Sequence, residues 1–232
     1  MEGKIVLITG STTGLGLHTA KNLYLRGATL ILTCRDGVRG RAALDAVQSQ
    51  LKKDGDLSSG RVHLFTLDLT CYKSILVFCS EVKLNFDRID VLVNNAGVMG
   101  LPFELSRNGV EMHFATNAFG HFVLVNNLLP LLEKSIDGRI VNYIPTLRQL
   151  MGEQDWDYHP RVAYAVSKLA NCLYTVELAS YIISVFRVCI LQGIESIINC
   201  AVTPNNELNS GALYHGCKEE EYGPIVTEVN FK

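Results

Sequence analysis

Short apolar runs alternate along this chain with longer segments whose apolar positions recur every three or four residues. The run 5–8 (Ile-Val-Leu-Ile) ends at Thr9 and Gly10, and the segment 15–26 that follows has helical spacing. A short apolar run bounded by turn residues is typical of a strand buried on both faces of a parallel sheet. Strand, glycine-containing turn and amphipathic helix therefore succeed one another from the first residues.

The same alternation continues to about residue 180. It predicts strands at 5–8, 28–33, 62–67, 89–93 and 139–143, and helices at 15–26, 37–53, 73–86, 108–134 and 162–180. Alternating units of this kind form an α/β fold, a doubly wound parallel sheet of the Rossmann type with right-handed crossovers. Because no linker or repeat interrupts the pattern, we expect a single domain over 1–232, with a core at 1–180 and a shortened segment at 181–232.

After residue 180 the alternation breaks. Arg187 and Glu195 interrupt the apolar stretch 181–198. Because a transmembrane helix needs about 20 consecutive apolar residues, this stretch does not fit one. We interpret it as a buried or lid helix. No convincing strand directly follows the preceding helix. The sheet is therefore expected to lack a strand at this point, unless the strand-like run 212–214 pairs beside the strand 139–143.

Composition narrows the class of protein. The chain has 232 residues, of which 48% are hydrophobic and 19% charged, and a formal net charge of −2. The absence of any basic run argues against a nucleic-acid partner. Seven cysteines without a CxxC pair argue against a zinc site and predict reduced thiols in a reducing compartment, which we take to be the cytoplasm. The first strand begins directly after Met-Glu-Gly-Lys, so we expect neither a signal peptide nor an N-terminal anchor.

The sequence Thr9-Gly-Ser-Thr-Thr-Gly-Leu-Gly16 lies between the first strand and the first helix. Gly10 permits the turn, Gly14 lets the backbone approach a pyrophosphate, and Gly16 allows close packing of the helix. The first helix then offers unpaired N–H groups to the phosphates. This context predicts dinucleotide binding, whereas the alternative is an ordinary strand–helix turn.

The ends of the second and third strands carry charged residues. Arg35 follows the second strand, and a guanidinium at this position suits a 2′-phosphate, which favours NADP(H) over NAD(H). The alternative is a solvated charge that caps the next helix. Asp68 ends the third strand and could accept a hydrogen bond from an adenine amino group, or could instead stabilise a turn.

Four phrases together resemble the short-chain dehydrogenase/reductase superfamily. They are TGSTTGLG at 9–16, DLT at 68–70, NNAG at 94–97 and YAVSK at 164–168. The longer phrases CRD, NNAGVM, ATNAFGHFVLVNNLLPLL and YAVSKLANCLYTVELA resemble the retinol dehydrogenase-like branch, including its WW-domain oxidoreductase relatives. The resemblance extends from residue 4 to about 218. It implies an enzyme that interconverts a hydroxyl and a carbonyl on a small apolar, retinoid-like or steroid-like substrate, and that forms a homodimer.

The resemblance also implies roles for individual residues. Tyr164 would act as acid/base, and Lys168, one helical turn away, would lower the pKa of the phenol and bind the nicotinamide ribose. Asn117 would bend the long helix and position a water leading to the lysine. The expected cofactor-binding residues are Gly10, Thr12, Gly14, Leu15, Gly16, Arg35, Asp68, Leu69, Asn94, Ala96, Gly97, Tyr164 and Lys168.

The chain departs from the family pattern in two places. Pro145 stands where the family has its catalytic serine, and Thr146 could replace that serine only if the loop slips by one residue. Beyond Ser180 a stretch of the family pattern, including its sixth strand, is missing. These departures favour an alternative hypothesis, in which the chain is a catalytically impaired cofactor-binding protein or a truncated isoform.

Overall fold

A computed structural model describes residues 1–49, 60–143, 158–181, 186–192, 198, 200–203, 209–210, 212–215 and 218–220. The strands are β1 Ile5–Ile8, β2 Thr29–Cys34, β3 Val62–Thr66, β4 Val91–Asn94, β5 Gly138–Tyr143, β6 Phe186–Gln192, β7 Leu213–His215 and β8 Lys218–Glu220. The helices are α1 Gly14–Leu25, α2 Gly37–Gln48, α3 Tyr72–Asn85, α4 Met112–Phe114, α5 Gly120–Leu132 and α6 Pro160–Tyr181, with a π-helical turn Ala115–Phe119 between α4 and α5.

The strands form one sheet in the order β3-β2-β1-β4-β5-β6-β7-β8. All neighbours from β3 to β7 pair in parallel, and only β8 pairs antiparallel, with β7. The chain winds outward from β1 in one direction through β2 and β3, then returns to β4 on the other side. The predicted doubly wound fold is confirmed, and the direction of winding changes between β1 and β4, where ligands bind in such sheets.

The strand β6 corrects the expectation that no strand follows the tyrosine-bearing helix. It pairs in parallel with β5, from Gly138 opposite Phe186 to Tyr143 opposite Leu191. The interpretation of 181–198 as a buried or lid helix is therefore wrong for 186–192. The run 186–192 has Arg187 near its start and Gln192 at its end but no distinctive period between them, so a strand and a helix look alike there in sequence. The alternative that 212–214 pairs beside β5 is also wrong, since β7 lies beside β6.

Two apolar layers cover the faces of the sheet. Alternate strand residues face opposite sides, so Leu7 and Leu92 join one layer while Val6 and Val93 join the other. The first layer packs against α3 and α5, and the second packs against α1 and α2. Continuous apolar strands are thus explained by burial on both faces. Among the described residues, no helix is both long and apolar enough to cross a membrane.

Arg139 on β5 anchors the C-terminal part of the chain. Its side chain is almost fully buried, and its Nη2 lies 2.7 Å from the Asp137 carboxylate. Nη1 donates to the carbonyl oxygens of Cys200, at 2.8 Å, and of Thr203. A buried guanidinium is tolerated only when paired and hydrogen-bonded. The arginine therefore couples the docking of residues 200–203 to the integrity of β5.

Replacement of Arg139 by methionine should lower the free energy of unfolding by about 3 kcal/mol, because two buried carbonyls lose a charged donor. Asp137 keeps its contact with Lys4, which limits the loss. Urea denaturation of Arg139→Met beside Arg26→Met, at an exposed helix end, measures the difference. Equal stability of the two variants would contradict the anchoring role.

Candidate active site

A cleft of about 380 Å³ opens at the carboxyl ends of β1, β2 and β4. Most of the predicted site residues line it, namely Gly10, Thr12, Gly14, Leu15, Arg35, Asp68, Leu69, Ala96, Gly97, Tyr164 and Lys168. Gly16, Asn94 and Asn117 do not line it. Pro145 and Thr146 lie outside the described residues. The cleft therefore brings the glycine loop, the NNAG segment and the tyrosine–lysine pair to one place.

The glycine loop is shaped by close contacts with the NNAG segment. Gly10 has φ of +63°, and a Cβ added to it would lie 2.8 Å from the Cα of Ala96. A Cβ on Gly16 would collide with the carbonyl oxygen of Gly10, so Gly16 serves packing rather than direct binding. Gly14 also has a positive φ, of +53°, and open space beside it. The tight turn at Gly10 and the close packing at Gly16 are thus seen in the structure, and the approach of a pyrophosphate to Gly14 stays a prediction.

The N-terminus of α1 faces the cleft. Thr13 is its N-cap residue, but its side chain makes no capping hydrogen bond. The first N–H groups of a helix have no partner within the helix, so they suit an anionic ligand. Gly14 and Leu15 of this first turn line the cleft. The geometry fits a phosphate group at this point.

Thr9 links the glycine loop to the NNAG segment through hydrogen bonds. Its Oγ1 accepts hydrogen bonds from the backbone N–H groups of Asn95 and Ala96, each at 3.0 Å. The Asn95 amide donates to the carbonyls of Thr9, at 2.9 Å, and Gly10, at 3.2 Å. Asn94 instead donates to Asn142 at 2.8 Å, across β4 and β5. The sequence selected Asn94 as a cofactor residue, but Asn95 is the one that lines the cleft.

Two guanidinium groups lie at the β2 end of the cleft. Arg35 and Arg39 both line it, and both are exposed. Asp36 is the N-cap of α2, where its carboxylate accepts the N–H of Val38 at 2.8 Å. The capping residue is therefore Asp36 rather than Arg35. Arg39 was missed by the sequence analysis, although its position one helical turn after Arg35 is a usable signal.

Asp68 stabilises a turn at the edge of the cleft, and its hydrogen bond to an adenine amino group stays a prediction. It lines the cleft, and its Oδ1 accepts the backbone N–H of Thr70 at 2.9 Å and the hydroxyl of Thr70 at 2.7 Å. This turn packs closely on α5, because a Cβ on Gly120 would lie 2.5 Å from the carbonyl oxygen of Leu69. The floor of the cleft is therefore held by the first residue of α5.

Tyr164 and Lys168 lie on one face of α6. Lys168 is 1% exposed, and its Nζ lies 5.8 Å from the centroid of the Tyr164 ring. A Cβ on Gly97 would lie 3.5 Å from this Nζ, so the glycine brings the NNAG segment against the ammonium. Burial lowers the pKa of Lys168 to about 8. The lysine can therefore lose or regain a proton near neutral pH.

Asn117 supports this pair from the π-helical turn. Its fully buried side chain accepts the N–H of Val98 at 2.8 Å and donates to the carbonyl of Val98 and the hydroxyl of Ser167, both at 3.0 Å. The backbone carbonyl oxygen of Asn117 accepts a hydrogen bond from the side-chain amide of Asn171 at 2.6 Å. A π-helical turn is rare and is often found at functional sites. Asn117 thus connects the NNAG segment to α6, and its role in positioning a water stays a prediction.

A further group of side chains, not selected from the sequence, packs against Tyr164. The rings of His113 and Tyr164 meet edge to face, with centroids 6.5 Å apart. Nδ1 of His113 lies 2.6 Å from Oε1 of Glu111, and the Tyr158 hydroxyl lies 3.0 Å from the same oxygen. These contacts tie the start of α4 to Tyr158, two residues before α6. They hold the Tyr164 ring from one side.

The buried ammonium predicts how stability depends on pH. Because the pKa of Lys168 is about 8 in the folded protein and 10.5 ordinarily, the unfolded chain binds more protons between these values. Stability should therefore rise as the pH increases through this interval, and Lys168→Met should lose that gain. Thermal melts between pH 7 and 10.5, with exposed Lys83→Met as control, measure it. A difference from wild type that does not vary with pH would contradict the buried charge.

Comparisons with known proteins agree with this geometry. The family model for short chain dehydrogenases matches residues 4–190. Retinol dehydrogenase 14 of Mus musculus is 34% identical, over 97% of this chain and 81% of that protein. Retinol dehydrogenase 13 of Homo sapiens is 38% identical over 77% of this chain, which spans about half, 54%, of that relative.

Solved structures show the same fold. An uncharacterized protein from Mycobacterium paratuberculosis has a TM-score of 0.75 and 30% identity, covering 96% of this chain and 85% of that chain. A metagenomic short-chain oxidoreductase in complex with NADP has a TM-score of 0.75 at 22% identity, covering 93% and 98%. The chain belongs to the short-chain dehydrogenase family of oxidoreductases, and within that family it is similar to the retinol dehydrogenases.

Proposed function

We propose that this protein is an NADP(H)-dependent oxidoreductase that interconverts a hydroxyl and a carbonyl on an apolar substrate, with Tyr164 as acid/base. The observation that carries the proposal is the shared cleft. Tyr164 and Lys168 line the same cavity as the glycine loop and as Arg35. Family membership supports the reaction class, and the placement of these residues supports the finer assignment.

The preference for NADP(H) rests on charge at the β2 end of the cleft. Arg35 and Arg39 present two guanidinium groups there, and guanidinium binds phosphate oxygens in bidentate geometry. The neighbouring carboxylate of Asp36 is engaged by the N-terminus of α2 and lies 3.9 Å from Nε of Arg39. An acidic residue that would bind free ribose hydroxyls is thus used for capping, which favours a 2′-phosphate.

The acid/base chemistry follows from the pair on α6. NADP(H), when bound, supplies or accepts the hydride at the substrate carbon. In the reducing direction the Tyr164 hydroxyl donates its proton to the carbonyl oxygen, and in the oxidising direction the phenolate accepts the proton of the alcohol. The Lys168 ammonium stabilises the phenolate by its charge, which is only weakly screened because the lysine is buried.

Apolar side chains near the cleft support an apolar substrate. Met99 lines the cleft and is 58% exposed. Phe103, 61% exposed, packs edge to face on Tyr158 with ring centroids 5.2 Å apart. Exposed apolar side chains such as these are suited to binding apolar groups. The names of the retinol dehydrogenases support a retinoid-like substrate, and the steroid-like class rests on the family resemblance alone.

A homodimer through α5 and α6 is part of the proposal. Phe122 on α5 is 45% exposed and Val166 on α6 is 51% exposed. The ring of Phe122 meets that of Tyr174 at 5.1 Å, which joins the two helices into one surface. Apolar groups exposed on adjacent helices suit a symmetric contact between two copies.

A second candidate is a cofactor-binding protein with impaired catalysis. Pro145 has no side-chain donor at the position where the resemblance implies a serine, and loss of one such donor costs about 10²–10³ in rate. The alignment with mouse retinol dehydrogenase 14 extends over 272 positions, 40 more than the 232 residues of this chain. That relative therefore carries residues that this chain does not. Both observations favour weak turnover with retained cofactor binding.

Removal of either arginine should weaken the binding of NADPH more than the binding of NADH. Arg35→Ala is expected to raise the Kd for NADPH about tenfold or more, since it removes charge-assisted hydrogen bonds, and Arg39→Ala should have a smaller effect. The Kd for NADH should stay within about twofold of wild type. Fluorescence titrations measure both constants, with exposed Arg41→Ala as the matched control. An equal loss of affinity for both cofactors would argue against a 2′-phosphate site.

Loss of the phenol should remove turnover but keep binding. Tyr164→Phe is expected to lower kcat for carbonyl reduction by about 10² or more, because general acid catalysis is lost while the ring still packs against His113. NADPH oxidation with a panel of apolar aldehydes and ketones measures it. Turnover that survives in Tyr164→Phe would refute the mechanism. NADPH binding without turnover in the wild type would support the second candidate.

A further inference from the structure

His121 lies in the first turn of α5, directly after the π-helical turn, and is 1% exposed. Its Nε2 lies 2.9 Å from the hydroxyl oxygen of Thr9, below the glycine loop. Its Nδ1 lies 3.0 Å from the carbonyl oxygen of Asn117. One buried ring therefore touches the cofactor side and the acid/base side of the cleft, although it does not line the cleft itself.

The hydrogen-bond partners determine the protonation state of this ring. A carbonyl oxygen can only accept, so Nδ1 of His121 must carry a hydrogen. The Thr9 oxygen already accepts from the backbone N–H groups of Asn95 and Ala96, so it is left with its own hydrogen to donate. Of the two acceptors in reach, Nε2 at 2.9 Å is nearer than the carbonyl oxygen of Val93 at 3.3 Å, which already accepts the Thr9 N–H. Every group is then satisfied by a neutral ring with its proton on Nδ1. Burial lowers the pKa of His121 to about 4, which agrees with this assignment.

The network continues from Asn117 to Lys168. The side-chain amide of Asn117 donates to the hydroxyl of Ser167, the residue before the lysine. The backbone carbonyl of Asn117 also accepts the side-chain amide of Asn171, one turn further along α6. A Cβ on Gly97 would lie 3.2 Å from Oδ1 of Asn117 and 3.5 Å from Nζ of Lys168. A displacement at Asn117 would therefore move both the wall of the cleft and the environment of the ammonium.

We propose that His121 is a positioning residue that sets the spacing between the cofactor loop at Thr9 and the Asn117 turn that supports Lys168. Its two nitrogens have separate tasks. Nε2 fixes the Thr9 hydroxyl and through it the Asn95–Ala96 backbone, and Nδ1 fixes the Asn117 carbonyl. The inference rests on the proposed function, since the spacing matters only if NADP(H) binds and Tyr164 reacts in this cleft.

Two substitutions separate the tasks. An asparagine amide can reach the place of Nδ1, and a glutamine amide can reach the place of Nε2. His121→Asn is therefore expected to weaken the Kd for NADPH about tenfold with kcat within about twofold, because the bond to Thr9 is lost. His121→Gln should keep the Kd within about twofold and lower kcat about tenfold. The exposed His18→Gln, on α1, is the control and should change neither constant.

A purely structural role would move both constants together with the melting temperature, so parallel losses in the two variants would overturn the proposal. Unchanged constants in both variants would also overturn it. If the wild type binds NADPH but shows no turnover, the catalytic part of the proposed function fails. The Kd values of the two variants then still test the positioning role of His121. A weaker Kd in His121→Asn than in His121→Gln then supports the positioning role, and equal values overturn it.

A measurement on the unmodified apoprotein is independent of binding, turnover and the folding of variants. Nitrogen NMR of the histidine rings should show His121 as a neutral ring protonated on Nδ1 between pH 5 and pH 8, with slow exchange of that proton. A ring protonated on Nε2, or a cation in this range, would overturn the proposal. If the wild type does not bind NADPH, the proposed function fails separately, and the NMR result alone supports or overturns the network.

Discussion

The site depends on one close approach, between the turn after β1 and the segment after β4. Gly10 meets Ala96 at a distance that allows no Cβ, and Gly16 brings α1 under the carbonyl of Gly10. The hydroxyl of Thr9 and the amide of Asn95 join the two segments by hydrogen bonds. This contact leaves the first N–H groups of α1 facing an open cleft. It also fixes the NNAG segment against which Lys168 and Asn117 pack.

Hydrogen bonds of buried polar groups hold neighbouring parts of the fold in register. His121 and Asn117 connect loops that are far apart in sequence, and Arg139 ties residues 200–203 to β5. Buried polar groups without partners cost several kcal/mol, so such networks specify one arrangement. Lys168 differs from them, because its burial lowers its pKa toward neutral pH. That shift destabilises the charged state, so the lysine can change its protonation near neutral pH.

Much of this could be predicted from the sequence, because local patterns determine it. The apolar runs predicted β1 to β5, and the spacing of Gly10, Gly14 and Gly16 predicted the tight loop between β1 and α1. The strand β6 could not be predicted, since its short run 186–192 has no clear period and suits a helix or a strand, and only pairing with β5 decides. The separate positions of Asn94 and Asn95 could not be predicted either. Asn94 ends β4 and donates to Asn142 on β5, whereas Asn95 follows the strand and lines the cleft, and only the paired sheet distinguishes them.

The most direct test of the account is a thermal melt of the purified protein with and without NADPH, with NADH as the comparison. A ligand that binds only the folded state adds about 2.7 kcal/mol of stability at a hundredfold excess over Kd. For a chain of this size that corresponds to an upward shift of about 5–10 °C. The account predicts a single cooperative transition that NADPH raises by this amount and NADH raises less. A broad transition that neither cofactor moves would contradict it.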